Sequence, residues 1–167
     1  MKRAFMPLAA AVILLALLTL SGCTYLNVSH LDRRPWLTDT PQTISMKFWR
    51  FEFHNMPLKH GVGLQGTAYP NTELFPEWAR YYDQLSFTAY LSDSTGNVVD
   101  SAEVEVLPRA LGDERAIPFE FRLSPEETHA SLYVSFGYRM VLAEMPWRPE
   151  KEQEGRIHLA HEGALTR

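Results

Sequence analysis

In "SLYVSFGYRMVLAE" (131–144), Leu132, Val134, Phe136, Tyr138, Met140 and Leu142 hold every second position through six consecutive pairs. A side-chain period of two belongs to a strand with one face buried, whereas a helix would scatter these six residues around its axis. A strand of that length needs partners to be stable, so the rest of the chain must supply them.

Several other segments carry the same period. "IPFEFRL" puts Ile117, Phe119, Phe121 and Leu123 on one face, and Leu85, Phe87, Ala89 and Leu91 alternate with polar neighbours. In "ISMKFWRFEFHN" the apolar positions are Ile44, Met46 and Phe48, then Phe51 and Phe53. That change of phase predicts a β-bulge around Trp49 and Arg50. "VGLQGTAY" (Val62–Tyr69) reads as a strand weakened by its glycines. In "LSDSTGNVVDSAEVEV", the turn formers Asp93–Asn97 predict a hairpin into a strand carrying Val98, Ala102, Val104 and Val106, irregular near Val99 and Asp100.

Helical signals are short. Leu74–Gln84 reads as a turn or two of helix from Pro76, and Ser124–Ala130 as one capped turn. Six or seven strands without interleaved helices predict an all-β antiparallel β-sandwich, immunoglobulin-like or transthyretin-like, over residues 44–145. A small β-barrel is the alternative. Residues 146–167 read as a polar tail in which "RIHLAH" forms a short edge strand.

The amino terminus has a different character. Met1, Lys2 and Arg3 precede "AFMPLAAAVILLALLTL", the layout of an export signal. Its strongly apolar part, Leu8–Leu18, is eleven residues, short of the roughly 20 a membrane span needs. The run ends in Leu20, Ser21, Gly22 and Cys23, the chain's single cysteine. These four residues resemble the lipobox of bacterial lipoproteins. The resemblance covers residues 1–23 and implies that 1–22 are a signal helix removed on export. It further implies that Cys23 becomes the acylated first residue, and that the chain's lipid partner is a bilayer. Position 24 is Thr rather than Asp, which by the same resemblance implies an outer-membrane address, facing the periplasm. Residues 23–43 then read as lipidated cysteine and tether, with Trp36 and Leu37 either docked on the domain or exposed.

With Cys23 used as an anchor, no disulfide or thiolate metal site is available to the domain. Removing Lys2 and Arg3 leaves 14 of the 16 basic residues against 20 acidic ones over 145 residues, a formal charge of −6. This acidic balance, with Arg33–Arg34 as its largest basic run, argues against nucleic acid as a partner. No nucleophile elbow, Walker loop or H-E-x-x-H pair occurs. Accordingly we expect no catalytic residues, no metal site and no cofactor. Neither His54 with His60 nor His158, His161 and Glu162 form a convincing ligand set, since His158 and His161 face opposite ways in a strand. The adjacent pairs Glu126–Glu127 and Asp113–Glu114 read as solvated turns.

One aromatic cluster stands out. "FPEWARYYDQ" gathers Phe75, Trp78, Arg80, Tyr81 and Tyr82, residue types favoured at binding surfaces, although Trp78 and Tyr82 equally suit a core cap. The expected function is a non-enzymatic envelope lipoprotein that docks a protein partner. The alternative is a small-ligand or glycan binder using residues 75–82. A docking module needs an apolar patch or an open strand edge, and a glycan binder needs Trp78 exposed beside Tyr81 or Tyr82. An enzyme would need His54, His60, His129, His158 or His161 to converge with carboxylates.

Overall fold

A computed structural model describes residues 25–59, 61–112, 116–125, 131–146 and 155–167. Expectations for residues 1–24, His60, Asp113, Glu114, Glu126, Glu127 and His129 lie outside them. The described residues form twelve strands: β1 (Leu26–Asn27), β2 (Arg34–Pro35), β3 (Gln42–Ser45), β4 (Trp49–Pro57), β5 (Val62–Pro70), β6 (Tyr81–Ser92), β7 (Val98–Val106), β8 (Arg109–Ala110), β9 (Ile117–Leu123), β10 (Tyr133–Ala143), β11 (Ile157–Glu162) and β12 (Leu165–Thr166).

They assemble into an antiparallel sandwich without barrel closure. The smaller sheet runs β3-β4-β5-β9, and the larger runs β11-β10-β6-β7 with β2 on β10 and β8 on β6. The alternating residues read from the sequence point between the layers. Phe51, Phe53, Phe119 and Phe121 of the smaller sheet meet Phe87 and Phe136 of the larger, all at most 5% exposed. Phe136 stacks on Phe51 with centroids 4.5 Å apart and planes 11° from parallel. It meets Phe53 edge-on at 5.0 Å, so its burial contributes packing beyond area alone.

The phase change at residues 48–51 is not a bulge. β3 and β4 are two strands of a hairpin, with Met46 N–H donating to the Trp49 carbonyl at 2.8 Å and Ile44 opposite Phe51. A tight turn inverts the pattern as a bulge does, and this one carries none of the usual turn residues. The Asp93–Asn97 hairpin forms as its residues dictate: the Asp93 carboxylate accepts from the backbone N–H groups of Thr95 (2.8 Å) and Asn97 (2.9 Å). Gly96 supplies the required left-handed φ of 90°. The irregularity near Val99 is a register shift, with Leu91 opposite Asp100 but Ser92 opposite Val98.

Residues 25–43, expected to be a tether, lie on the domain instead. Val28 and Leu31 bury against Tyr90 on the outer face of the larger sheet. Val28 N–H donates to the Gly96 carbonyl at 2.8 Å, and Trp36 packs on the main core while Leu37 stays 47% exposed. The path is irregular and its partners are distant in sequence, so it leaves no periodic signature. β1 pairs with β12, bringing Leu26 opposite Thr166. The carboxy-terminal stretch is therefore part of the fold as well, with Ala160 of β11 in the core. Gly137 permits this closure, because a Cβ there would lie 2.9 Å from the Glu162 carbonyl oxygen and 3.1 Å from Gly163 Cα.

Candidate docking edge and aromatic segment

The helix expected from Pro76 is a single turn, with Ala79 N–H donating to the Pro76 carbonyl at 2.9 Å, set between a 3-10 turn at Thr72–Leu74 and the start of β6 at Tyr81. This distributes the aromatic segment over different surfaces. Tyr82 points into the sandwich, 6% exposed, against Trp49 at 6.0 Å and edge-on to Phe75 at 6.1 Å. Burial pushes its phenol pKa well above the usual range, outweighing the opposing pull of Arg109. Tyr81, one residue earlier, lies on the opposite face of the strand, half-buried. Phe75 and Trp78 are half-buried against the core.

Trp78 is covered on one face by the Arg156 guanidinium, 5.0 Å from its ring centroid, a favourable cation–π arrangement. Arg156 is held by Glu144 in a two-pronged pair, Nε to Oε2 at 3.0 Å and Nη2 to Oε1 at 2.9 Å. Those hydrogen bonds hold the Glu144 pKa down to about 2. Arg80 is exposed. It anchors the segment through its backbone, donating to the Ala143 carbonyl at 2.9 Å and accepting from Leu111 N–H at 2.7 Å. Phe75 and Tyr82 are thus brought together, Trp78 sits beneath an arginine, and Tyr81 is turned away from both.

Two clefts flank the segment. One of about 460 Å³ lies between Tyr81–Gln84 and Pro108–Ala110, and one of about 410 Å³ between Thr72–Glu77 and Leu111–Gly112. Tyr82 borders both. Among the described residues no three His, Cys, Asp or Glu side chains gather at metal-binding distance. His158 turns inward, 5.9 Å from Phe48, while His161 is exposed on the outer face.

A second surface has more of the character of a contact site. β11 forms one edge of the larger sheet, and among the described residues no strand pairs with its outer side. Its outward side chains Ile157 and Leu159 are 57% and 61% exposed. They continue an apolar row across the sheet: Ile157 lies opposite Ala143, which lies opposite Tyr81, which lies opposite Ala110. Leu159 lies opposite Val141 in the adjacent row. Unprotected edges invite strand addition, and lysine, proline or a bulge normally guards them. Ile157–Glu162 contains neither lysine nor proline. The sequence signal for this site was "RIHLAH", read as a short edge strand, and β11 does form an edge of the larger sheet. Arg156 and Glu144 gave no sequence signal as a pair.

No family model matches the chain, and neither does any curated protein or solved structure.

Proposed function

We propose that this chain is an exported lipoprotein of the bacterial envelope. Acylated Cys23 anchors it in the outer membrane, facing the periplasm, and its sandwich serves as a non-enzymatic docking module. The contact is the outer edge of β11, which takes up an extended segment of a protein partner as an added strand. The observation that carries this reading is the combination, on one edge, of the exposed Ile157 and Leu159 with backbone groups that no strand among the described residues pairs. The Leu20–Cys23 resemblance supports the anchor, and physical reasoning agrees. Each buried methylene adds about 0.8 kcal/mol, and two or more acyl chains give stable attachment where one does not.

The glycan-binding alternative has less support. Its platform requires Trp78 and a neighbouring tyrosine bare and side by side, whereas Trp78 carries Arg156 on its face and Tyr82 is buried.

Crosslinked envelopes test the proposal, with partners recovered on the full-length chain. Leu159→Lys places a charge at an exposed position and leaves the core intact, so it should abolish recovery of the partner captured by wild type. Equal recovery on both chains would contradict docking at this edge.

A further inference from the structure

The geometry of β11 also bears on which strand it takes up. Glu144 N–H donates to the Arg156 carbonyl at 3.0 Å, and β11 continues from there in register, ending with Glu162 opposite Tyr138. Antiparallel partners exchange both backbone bonds at every second pair. Arg156, His158, Ala160 and Glu162 therefore direct their backbone groups to β10, while Ile157, Leu159 and His161 direct theirs at the open edge.

Resting on the docking reading above, we propose that the partner is a second copy of this chain. Its β11 pairs antiparallel with this one about a two-fold axis at Leu159, joining two larger sheets into one. The edge is self-complementary in that register. Leu159 meets the second copy's Leu159, and Ile157 meets its His161, all through outward-directed backbone groups. On the inner face Arg156 falls opposite the second copy's Glu162, and Glu162 opposite its Arg156. Opposite charges in directly facing positions favour a sheet pairing.

Arg156 retains donors for this, because Glu144 uses only Nε and Nη2 of its side chain. A row Glu144–Arg156–Glu162–Tyr138 would then cross the junction between copies. Burial and the Glu162 charge already push the Tyr138 pKa up to about 12, so the phenol stays a neutral donor to the carboxylate. Shifting the axis to Ala160 would set Arg156 opposite Ala164 and Glu162 opposite His158. It would also separate the leucines, losing both complementarities. Anchoring both copies in one membrane raises their effective concentration.

Oxidative crosslinking of the full-length chain in isolated envelopes tests this register. Facing residues of a bonded pair lie about 5.5 Å apart at Cα, within the ~4.4–6.8 Å range a disulfide spans. Leu159→Cys should therefore give a covalent dimer. Ile157→Cys and His161→Cys should each stay monomeric alone, since like positions fall about 14 Å apart, and should link when co-expressed. Leu107→Cys, at a position 83% exposed away from β11, measures random collision, and wild type measures any contribution of Cys23. Dimer from Leu159→Cys no greater than from Leu107→Cys would overturn self-pairing, as would equal dimer from Ile157→Cys alone. A photoreactive residue at position 159 separates the two readings. Adducts with a different envelope protein, without disulfide dimer, would overturn self-pairing and leave the docking edge standing. No adduct of either kind would overturn both.

Discussion

Arg156 and Glu144 form a two-pronged ion pair across the base of the β10–β11 hairpin, at 3.0 and 2.9 Å, while the same guanidinium covers Trp78. One arginine thereby fixes the edge strand, the hairpin base and the aromatic segment relative to one another. The pair is exposed to solvent, so its value is geometric more than energetic.

The first prediction concerns protonation. Glu144 has its pKa depressed from 4.5 to about 2 by hydrogen bonds from Arg156. A depressed carboxylate contributes stability that is fully present above pH ~4.5 and is lost as pH falls towards ~2. Carboxyl-detected NMR should place the Glu144 midpoint near the lower value in wild type. In Arg156→Ala it should return towards the ordinary glutamate range.

Phe136 is fully buried and meets four rings of the opposite sheet, Phe51, Phe53, Phe119 and Phe121. Phe136→Ala should destabilise the fold by about 3–5 kcal/mol. Urea unfolding would show this as a lower midpoint with an unchanged slope.

The Asp93 turn is a more local test. Burial alone would raise its pKa, but hydrogen bonds from Thr95 and Asn97 hold it below the usual value. Asp93→Ala should cost about 1–2 kcal/mol, the usual effect of losing such backbone-satisfying bonds. The wild-type advantage should itself shrink as pH falls through the carboxylate range. A variant as stable as wild type at pH 7 would show that Gly96 and the strand register suffice to form the turn.

These elements differ in how openly the sequence announced them. Ile117–Leu123 and Leu132–Leu142 were legible because one buried face imposes strict alternation, and the 93–97 turn because Asp, Gly and Asn are required there by local geometry. From sequence the Met46–Trp49 turn reads as a bulge, since both devices invert the side-chain phase and Lys47 and Phe48 advertise neither. Residues 25–43 looked unstructured because Val28, Leu31 and Trp36 find their partners at Tyr90, Gly96 and Leu132, contacts that leave no local period. Within the aromatic segment, composition identified residues able to bind but not the switch from turn to strand at Tyr81, which sends Tyr81 and Tyr82 to opposite faces. The edge position of β11 was legible in "RIHLAH", a short strand after a charged break, whereas its partner β10 and the pairing register are set by the sheet order and leave no mark in that strand's sequence.

Anchoring makes its own prediction, motivated by Leu20–Cys23. Cys23→Ser should either release the chain into the soluble periplasmic fraction or leave it with an uncut signal, read by fractionation and mass. A variant that fractionates and migrates as wild type does would mean that Cys23 is not the anchor.

The measurement that bears most directly on the docking edge is amide hydrogen exchange at Leu159 and His161, whose N–H groups face away from β10. It should be made on the chain in native membrane and on dilute Cys23→Ser protein. If β11 takes up a strand at the membrane, both amides should be protected there to the level of Ala160, which bonds to β10, and should exchange quickly in the dilute variant. Fast exchange at Leu159 and His161 in both samples, beside a protected Ala160, would contradict strand addition at this edge.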